Sequence, residues 1–475
     1  MYDSFNIRRS SYIRRVGCRR EHSSMVSEIK TIRYGNGDVQ RVQSVTLDSW
    51  SQLCFHVPEY SPDAFRKICN LYRNFIVPKC PWIFGQLVLF SLPENYHPEF
   101  LTMFSRRYGA VADYATAAAI DLRNGLRILF GKPVFFTREA KQLWDDLKGY
   151  GCIEVVCGNL PCTTILPVGN FFGFLSNGAE NFSVAVNSSF FIMDRFDCST
   201  PYDIIGTPFG MTVEKGVVSV PPLFDREALL VKEGGNASVT VPLLSEMEIV
   251  INGRTFLSGQ NAVFFSRPGV RKTGRFSGME LVIIGRRVAA VHHGGRTFVP
   301  SSGFVLRISE NDESFSVSPG DRVDYCNYRD VLFGVQTGNS VVINSIKTDR
   351  FLSPFYNIRK LWSTSYPPSL YPLGFDSDRA PRTAIGEDKN GKPMIVWAEG
   401  AAKFGYHPGD CSCGATLAEM SEICAGLGMK NGVNLDGGGS SQILLNGQRS
   451  LKISDRNAED CSEAERAVPI GIIVK

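Results

Sequence analysis

The chain has 475 residues, 43% hydrophobic and 21% charged, with 45 Gly and 32 Phe. That length exceeds one ordinary hydrophobic core, and the composition excludes a disordered or fibrous chain. The formal net charge of +4 is local: six arginines (Arg8, Arg9, Arg14, Arg15, Arg19, Arg20) face only Asp3 and Glu21 in the first 25 residues, and the remainder is balanced. The body of the protein therefore carries no bulk signal for nucleic acid.

Residues 1–28 read as a basic, disordered tail, with an Arg/Ser-rich transit peptide or a phosphate-binding arm as the other readings. The opening residues lack a continuous apolar core, so no secretory signal is read and a cytoplasmic location is the expectation. The apolar stretch at 82–92 is broken by Gly85 and Gln86 and is too short to span a bilayer. Thirteen cysteines, an odd number, favour free thiols over a disulfide framework. Cys152, Cys157 and Cys162 recur every five residues, and Cys411 and Cys413 flank Ser412. Neither spacing is a zinc pattern, and no metal or cofactor is assigned.

Residues 29–164 are expected to form a separate α/β domain. Helices are predicted over 62–74 and over 110–130, the second from an Ala-rich run leading into Leu122, Leu126 and Leu129, with Gly131 as a stop. Thr137 can cap a third helix ending near Gly149, and 82–92 reads as a buried strand. From about Val168 the texture changes to short strands between Gly/Pro turns, at 184–191, 210–220, 228–231, 238–241, 247–251, 281–288 and 303–308.

Residues 379–446 are legible almost throughout. A strand at 383–387 and a return strand at 393–398 flank the turn Asp388-Lys389-Asn390-Gly391. Thr416 to Glu419 form a capping box, followed by Leu417, Met420, Cys424 and Leu427 on one helical face and Gly426 and Gly428 as the stop. Asn431-Gly432 turns the chain into a strand at 433–436, and a further strand is expected at 442–445.

Between those two strands runs Asn434-Leu435-Asp436-Gly437-Gly438-Gly439-Ser440-Ser441. Three glycines without Cβ atoms let backbone amides approach a ligand, and such amides form an anion-binding concavity suited to phosphate. Asp436 would stand beside that anion, where a carboxylate can do acid/base or nucleophilic chemistry. A flexible hairpin turn holding an ordinary Asp-Gly is the plainer reading.

Four motifs in order resemble the phosphodiester glycosidase family: Arg382-Thr383-Ala384-Ile385-Gly386, Asp388 to Gly391, Leu417 to Met420, and Asn434 to Ser440. Upstream, Asn187-Ser188-Ser189-Phe190-Phe191 is similar to a family Asn-Gly-Gly-Phe-Phe stretch, with Ser for both glycines. Gly206 to Gly210 and Gly216 to Val218 follow as the family's Gly-rich turn and strand do. The resemblance covers 165–475.

It implies an α+β protein, with a mixed-sheet phosphodiester glycosidase-like domain at 165–475 preceded by the N-terminal α/β domain. It also implies a hydrolase that cleaves the glycosidic bond of a sugar-1-phosphodiester, with a phosphorylated glycan, N-acetylglucosamine-1-phosphodiester among the candidates, as substrate. Under that resemblance Asp436, Arg382 and Asn187 are the expected catalytic residues. Asp436 would be nucleophile or base, Arg382 would grip phosphate through two parallel hydrogen bonds, and Asn187 would hold a sugar hydroxyl or N-acetyl group. Gly437, Gly438, Gly439, Ser440, Thr383 and Asn434 are the expected substrate-binding residues. A non-catalytic phosphoglycan-binding module, or a virion or surface protein with a decayed site, is the alternative. A nucleotide-binding protein is the third reading, weakened because the triglycine leads into a strand and lacks a phosphate-loop Lys.

Overall fold

In the computed structural model the described residues are 25–56, 182–191, 208–348 with short gaps, 378–400, 412–455 and most of 462–474, together with the backbone of short strands at 13–14, 19–22, 87–90, 126–129, 132–135, 152–156 and 163–166. The helices expected at 62–74 and after Thr137 lie outside the described residues. So does the helix expected over 110–130, except at its end. There Leu126–Leu129 is a strand paired with Lys132–Phe135, so Gly131 falls between two strands. Leu87–Phe90, within the strand expected at 82–92, pairs with Cys152–Val156.

The described protein is mostly β. Its largest sheet runs in the order Met25–Arg33, Val39–Leu47, Pro393–Ala398, Arg382–Asp388, Met429–Asn434, Ser340–Ile343, Ile346–Lys347, with Ile13–Arg14 and Arg19–His22 both paired with Met25–Arg33. A second sheet has the order Gln448–Arg449, Ile443–Leu445, Val184–Asn187, Gly471–Val474, Leu53–His56. A third joins Val217–Val220, Thr212–Glu214, Val331–Gln336, Ala228–Lys232 and Ala237–Thr240. Two smaller sheets fill 248–325.

Every pairing between these named strands is antiparallel, which corrects the mixed sheet expected from the sequence. Parallel neighbours need long crossover connections, and here hairpins do much of the joining. The strand expected at 281–288 is also two strands. Arg275–Ile284 turns at Gly285 (φ 53°) and returns as Arg287–Gly295.

The strands before residue 57 join strands from the far end of the chain. Val39–Leu47 pairs with Pro393–Ala398 (Val45 opposite Ile395), and Leu53–His56 pairs with Gly471–Val474. The expected boundary at 28/29 falls inside Met25–Arg33, and the one at 164/165 inside Thr163–Leu166, which pairs with Cys152–Val156. The long-range pairing follows from burial. Pro393–Ala398 is buried at all six positions, so its outer edge needs a hydrogen-bonding partner, and Val39–Leu47 supplies it.

The main core lies between the sheets. Val45, Ile395, Ile385 and Val433 of the first pack with Val184, Val186, Ile443 and Ile472 of the second and Leu229 and Phe333 of the third. The helix Leu417–Gly426 covers the other face of the first sheet with Met420 and Cys424 against Ala384, Val396 and Val341. Its expected capping box is present: Thr416 Oγ1 accepts from the Glu419 amide and Glu419 Oε2 from the Thr416 amide. Among the described residues no helix is long and apolar enough to cross a membrane.

Candidate active site

The chain leaves the first sheet at Asn434 and enters the second at Ile443, so the segment between them bridges the two sheets. Asp436 is held there from both sides by the strand 249 positions earlier. Its amide donates to Ser188 O (2.9 Å), and its carbonyl accepts from Asn187 Nδ2 (2.7 Å). The Asn187 Oδ1 accepts twice, from Thr383 Oγ1 (2.9 Å) and from the Gln442 amide (3.1 Å). The Leu435 amide donates to Thr383 O (2.7 Å). One buried asparagine therefore ties three distant segments to the residue at the bend.

Gly437 to Ser441 forms a short 3-10 turn, and its amides are largely spent inside the protein. Gly437 donates to Asp436 Oδ1 (2.8 Å) and Gly438 to Pro381 O (2.9 Å). Ser440 and Ser441 donate to Gly437 O and Gly438 O. Two of the three glycines also meet close packing. A Cβ on Gly437 would lie 3.2 Å from Pro381 O and 3.4 Å from Arg382 Nη1, and a Cβ on Gly439 would collide with both Asp455 carboxylate oxygens at 2.2 Å. Gly438 has φ 60°, a conformation in which glycine carries no Cβ penalty.

Arg382 is only 1% exposed. Its Nε donates to Ala415 O (3.0 Å) and its Nη2 to Asp378 O (2.8 Å). The Nε–Nη2 edge expected to grip phosphate as a fork is thus anchored on carbonyls, while Nη1 lies beside Gly437. The guanidinium is a fixed positive charge behind the bend.

Burial pushes the Asp436 carboxyl up to about 6, against the opposing pull of Ser440, Arg466, the Gly437 amide and Arg382. The Ser440 hydroxyl is near the carboxyl yet outside strict hydrogen-bond geometry, so the burial effect prevails.

The structure brings all the expected site residues into one cluster and divides their roles. Asn187, Thr383 and Asn434 are fully buried. Asn187 and Thr383 bond protein, and Asn434 Nδ2 donates to Leu435 O (2.6 Å). Sequence reading missed Asp455 and Arg466. Arg466 Nε and Nη2 donate to Asp455 Oδ2 (2.9 Å) and Oδ1 (3.1 Å), and the paired carboxylate rests against Gly439. No local signal marks either residue, since their partner is the bend itself. Ser188 and Ser189, which stand where the resemblance expects glycines, are buried, and the Ser188 contact to Asp436 is through its backbone carbonyl.

In this mostly β protein a buried carboxyl pushed up to about 6 thus stands with a fixed guanidinium and a second, ion-paired carboxylate. A family model described as phosphodiester glycosidase matches residues 246–475. The resemblance carried by the four sequence motifs is thus matched over that stretch, just under half of the chain.

Over 93 residues, 20% of this chain, it is 32% identical to the human N-acetylglucosamine-1-phosphodiester alpha-N-acetylglucosaminidase and 31% identical to the Mus musculus protein. The matched stretch spans 16% of those relatives' length. Among solved structures, similarity extends to a hypothetical protein from Synechocystis (15% identity, TM-score 0.39, 95% of this chain and 62% of that one). A putative exported protein from Burkholderia pseudomallei K96243 is similar at 15% identity and TM-score 0.40, over 95% of this chain and 97% of that one. The zebrafish N-acetylglucosamine-1-phosphodiester alpha-N-acetylglucosaminidase catalytic domain, auto-inhibited by its pro-peptide, is similar at 11% identity and TM-score 0.33, over 98% of this chain and 87% of that one.

Proposed function

We propose that this protein hydrolyses the glycosidic bond of a sugar-1-phosphodiester. Water adds to the anomeric carbon, the C–O bond to phosphate breaks, and free sugar and a phosphomonoester leave. The observation that carries the reading is the placement of Asp436, ionisable near neutrality, beside the buried Arg382 guanidinium.

Bond breaking puts positive charge on the sugar ring and negative charge on the departing phosphate. The departing phosphomonoester is a good leaving group and needs little protonation, so the useful form of Asp436 is the carboxylate. It faces the sugar carbon as base or nucleophile. Arg382 supplies a standing positive potential for the phosphate, and because it is pre-anchored on two carbonyls its charge needs no rearrangement during the reaction. Asn187 fixes the backbone of residue 436 rather than touching the sugar. N-acetylglucosamine is the first sugar to test, because the sequence relatives are named for it.

The test is a panel of sugar-1-phosphodiesters, N-acetylglucosamine and mannose forms included, incubated with wild type and with Asp436→Asn. Release of free sugar by wild type alone supports the reading. Tight binding of the panel without turnover by wild type would replace it with a phosphoglycan-binding module.

A further inference from the structure

Far along the chain from this site, the hairpin Arg275–Ile284 and Arg287–Gly295 ends in a concentration of positive charge that the reaction does not use. Residues 267–307 hold eight Arg and Lys against a single acid, Glu280. That acid is fully buried and taken by Arg307 Nη2 (2.6 Å) and Thr273 Oγ1 (2.9 Å). Arg271, Lys272, Arg275, His293 and Arg296 are exposed. Among the described residues none of Arg271, Lys272, Arg275 and Arg296 pairs with a carboxylate.

These cations stand on a stiff ribbon. Lys272 bridges Phe298, the Thr273 amide donates to Thr297 O, the Val299 amide to Arg271 O, the Arg296 amide to Gly274 O, and Arg275 pairs with Gly295. A Cβ on Gly295 would meet Gly274 O at 2.3 Å, so the two segments touch backbone to backbone. Arg296 holds φ 58°, a conformation costly for a side chain of its size. Like charges on neighbouring ladder positions repel one another, and an ordered array of anions relieves that cost.

The aromatic rings nearby point to what kind of anion. Lys272 lies over the Phe298 ring (4.5 Å), and Arg307 lies over Phe276 (4.5 Å) and Phe265 (4.8 Å). These rings already carry cations and offer no open platform for stacked bases, which single-stranded nucleic acid binders use. We propose that this basic ribbon binds a polyanionic glycan whose repeats are joined by phosphodiesters, reading its backbone charge. The choice of polymer rests on the sugar-phosphodiester reading of the Asp436 site; the binding itself does not.

The experiment measures affinity of the full chain for a synthetic oligo(mannosyl phosphate), an uncharged mannan oligosaccharide of equal length, and oligo(dT), across a salt series. Wild type should bind the mannosyl phosphate and ignore the neutral glycan. The combined variant Arg271→Gln, Lys272→Gln, Arg275→Gln, Arg296→Gly should weaken binding by roughly tenfold or more and lower the log–log salt slope by about three. Its hydrolysis of a small sugar-1-phosphodiester should equal wild type, and Asp436→Asn should keep polymer affinity while losing turnover, so the two readings fail separately. Unchanged affinity in the four-residue variant would overturn the proposal, as would oligo(dT) binding as tightly as the phosphoglycan.

Discussion

Asp436 is buried where its charge is unwelcome, and that conflict sets two measurable properties. Its carboxyl is raised from 3.8 to about 6, so the folded state holds a proton that the unfolded state has released. Stability from this group is fully present below about pH 4 and declines as pH rises towards about 6. Above that, the ionised site costs on the order of 3 kcal/mol. Asp436→Asn should therefore raise the melting temperature at pH 7.5, lose the advantage below pH 4, and reduce turnover at least about a thousandfold. Equal thermal stability at both pH values would contradict the burial argument. If the carboxylate is the working form, kcat/KM rises with pH through an acid limb near 6; a fall through the same region would make Asp436 an acid instead. At Gly439, an added methyl meets the Asp455 carboxylate at 2.2 Å. Gly439→Ala should cost about 2 kcal/mol or more in denaturant unfolding, because the obstacle is an ion-paired group.

At the scale of elements, the bend works because unrelated strands fix it. Asn187 makes hydrogen bonds to Asp436 O, Thr383 Oγ1 and the Gln442 amide. Asn187→Ala should leave those groups unsatisfied and destabilise by roughly 2–4 kcal/mol. Turnover should fall mainly in kcat, since the substrate is not its partner; a pure KM effect would restore the sugar-contact role. The helix offers a control. Thr416→Ala removes the cap at about 1 kcal/mol and should leave kcat/KM at the wild-type value. The helix, its cap and the hairpin 382–398 were readable beforehand, because capping boxes, turn glycines and alternation are signals written within a few residues. The hairpin at 281–288 was not: its turn, Gly285-Arg286, lies inside an apolar run whose pattern suits one long strand. The glycine run is legible as a special bend, but its packing against Pro381 and Asp455 is not. A sequence shows that Cβ atoms are missing and does not show which neighbour needs the room.

For the whole molecule, Met25–Arg33, Val39–Leu47 and Leu53–His56 are part of the sheets that carry the site. A chain beginning at residue 165 would strip Val39–Leu47 from Pro393–Ala398 and Leu53–His56 from Gly471–Val474. It should appear aggregated in size-exclusion chromatography and lack activity, because two buried strand edges would lie open. A monomeric, active fragment would show that those strands are dispensable.

The sequence by itself determined the local chemistry: the acid closing a strand, the glycines after it, the capped helix and the family-like order of motifs. Only the tertiary structure decided that Asn187 holds Asp436, that Arg382 is anchored on carbonyls, that Asp455 and Arg466 complete the cluster, and that both chain ends share sheets. The physical reason is range. Turns and caps are satisfied by neighbours a few residues away, whereas strand edges and buried polar groups take partners hundreds of residues distant, chosen by which surfaces the assembled core leaves unpaired.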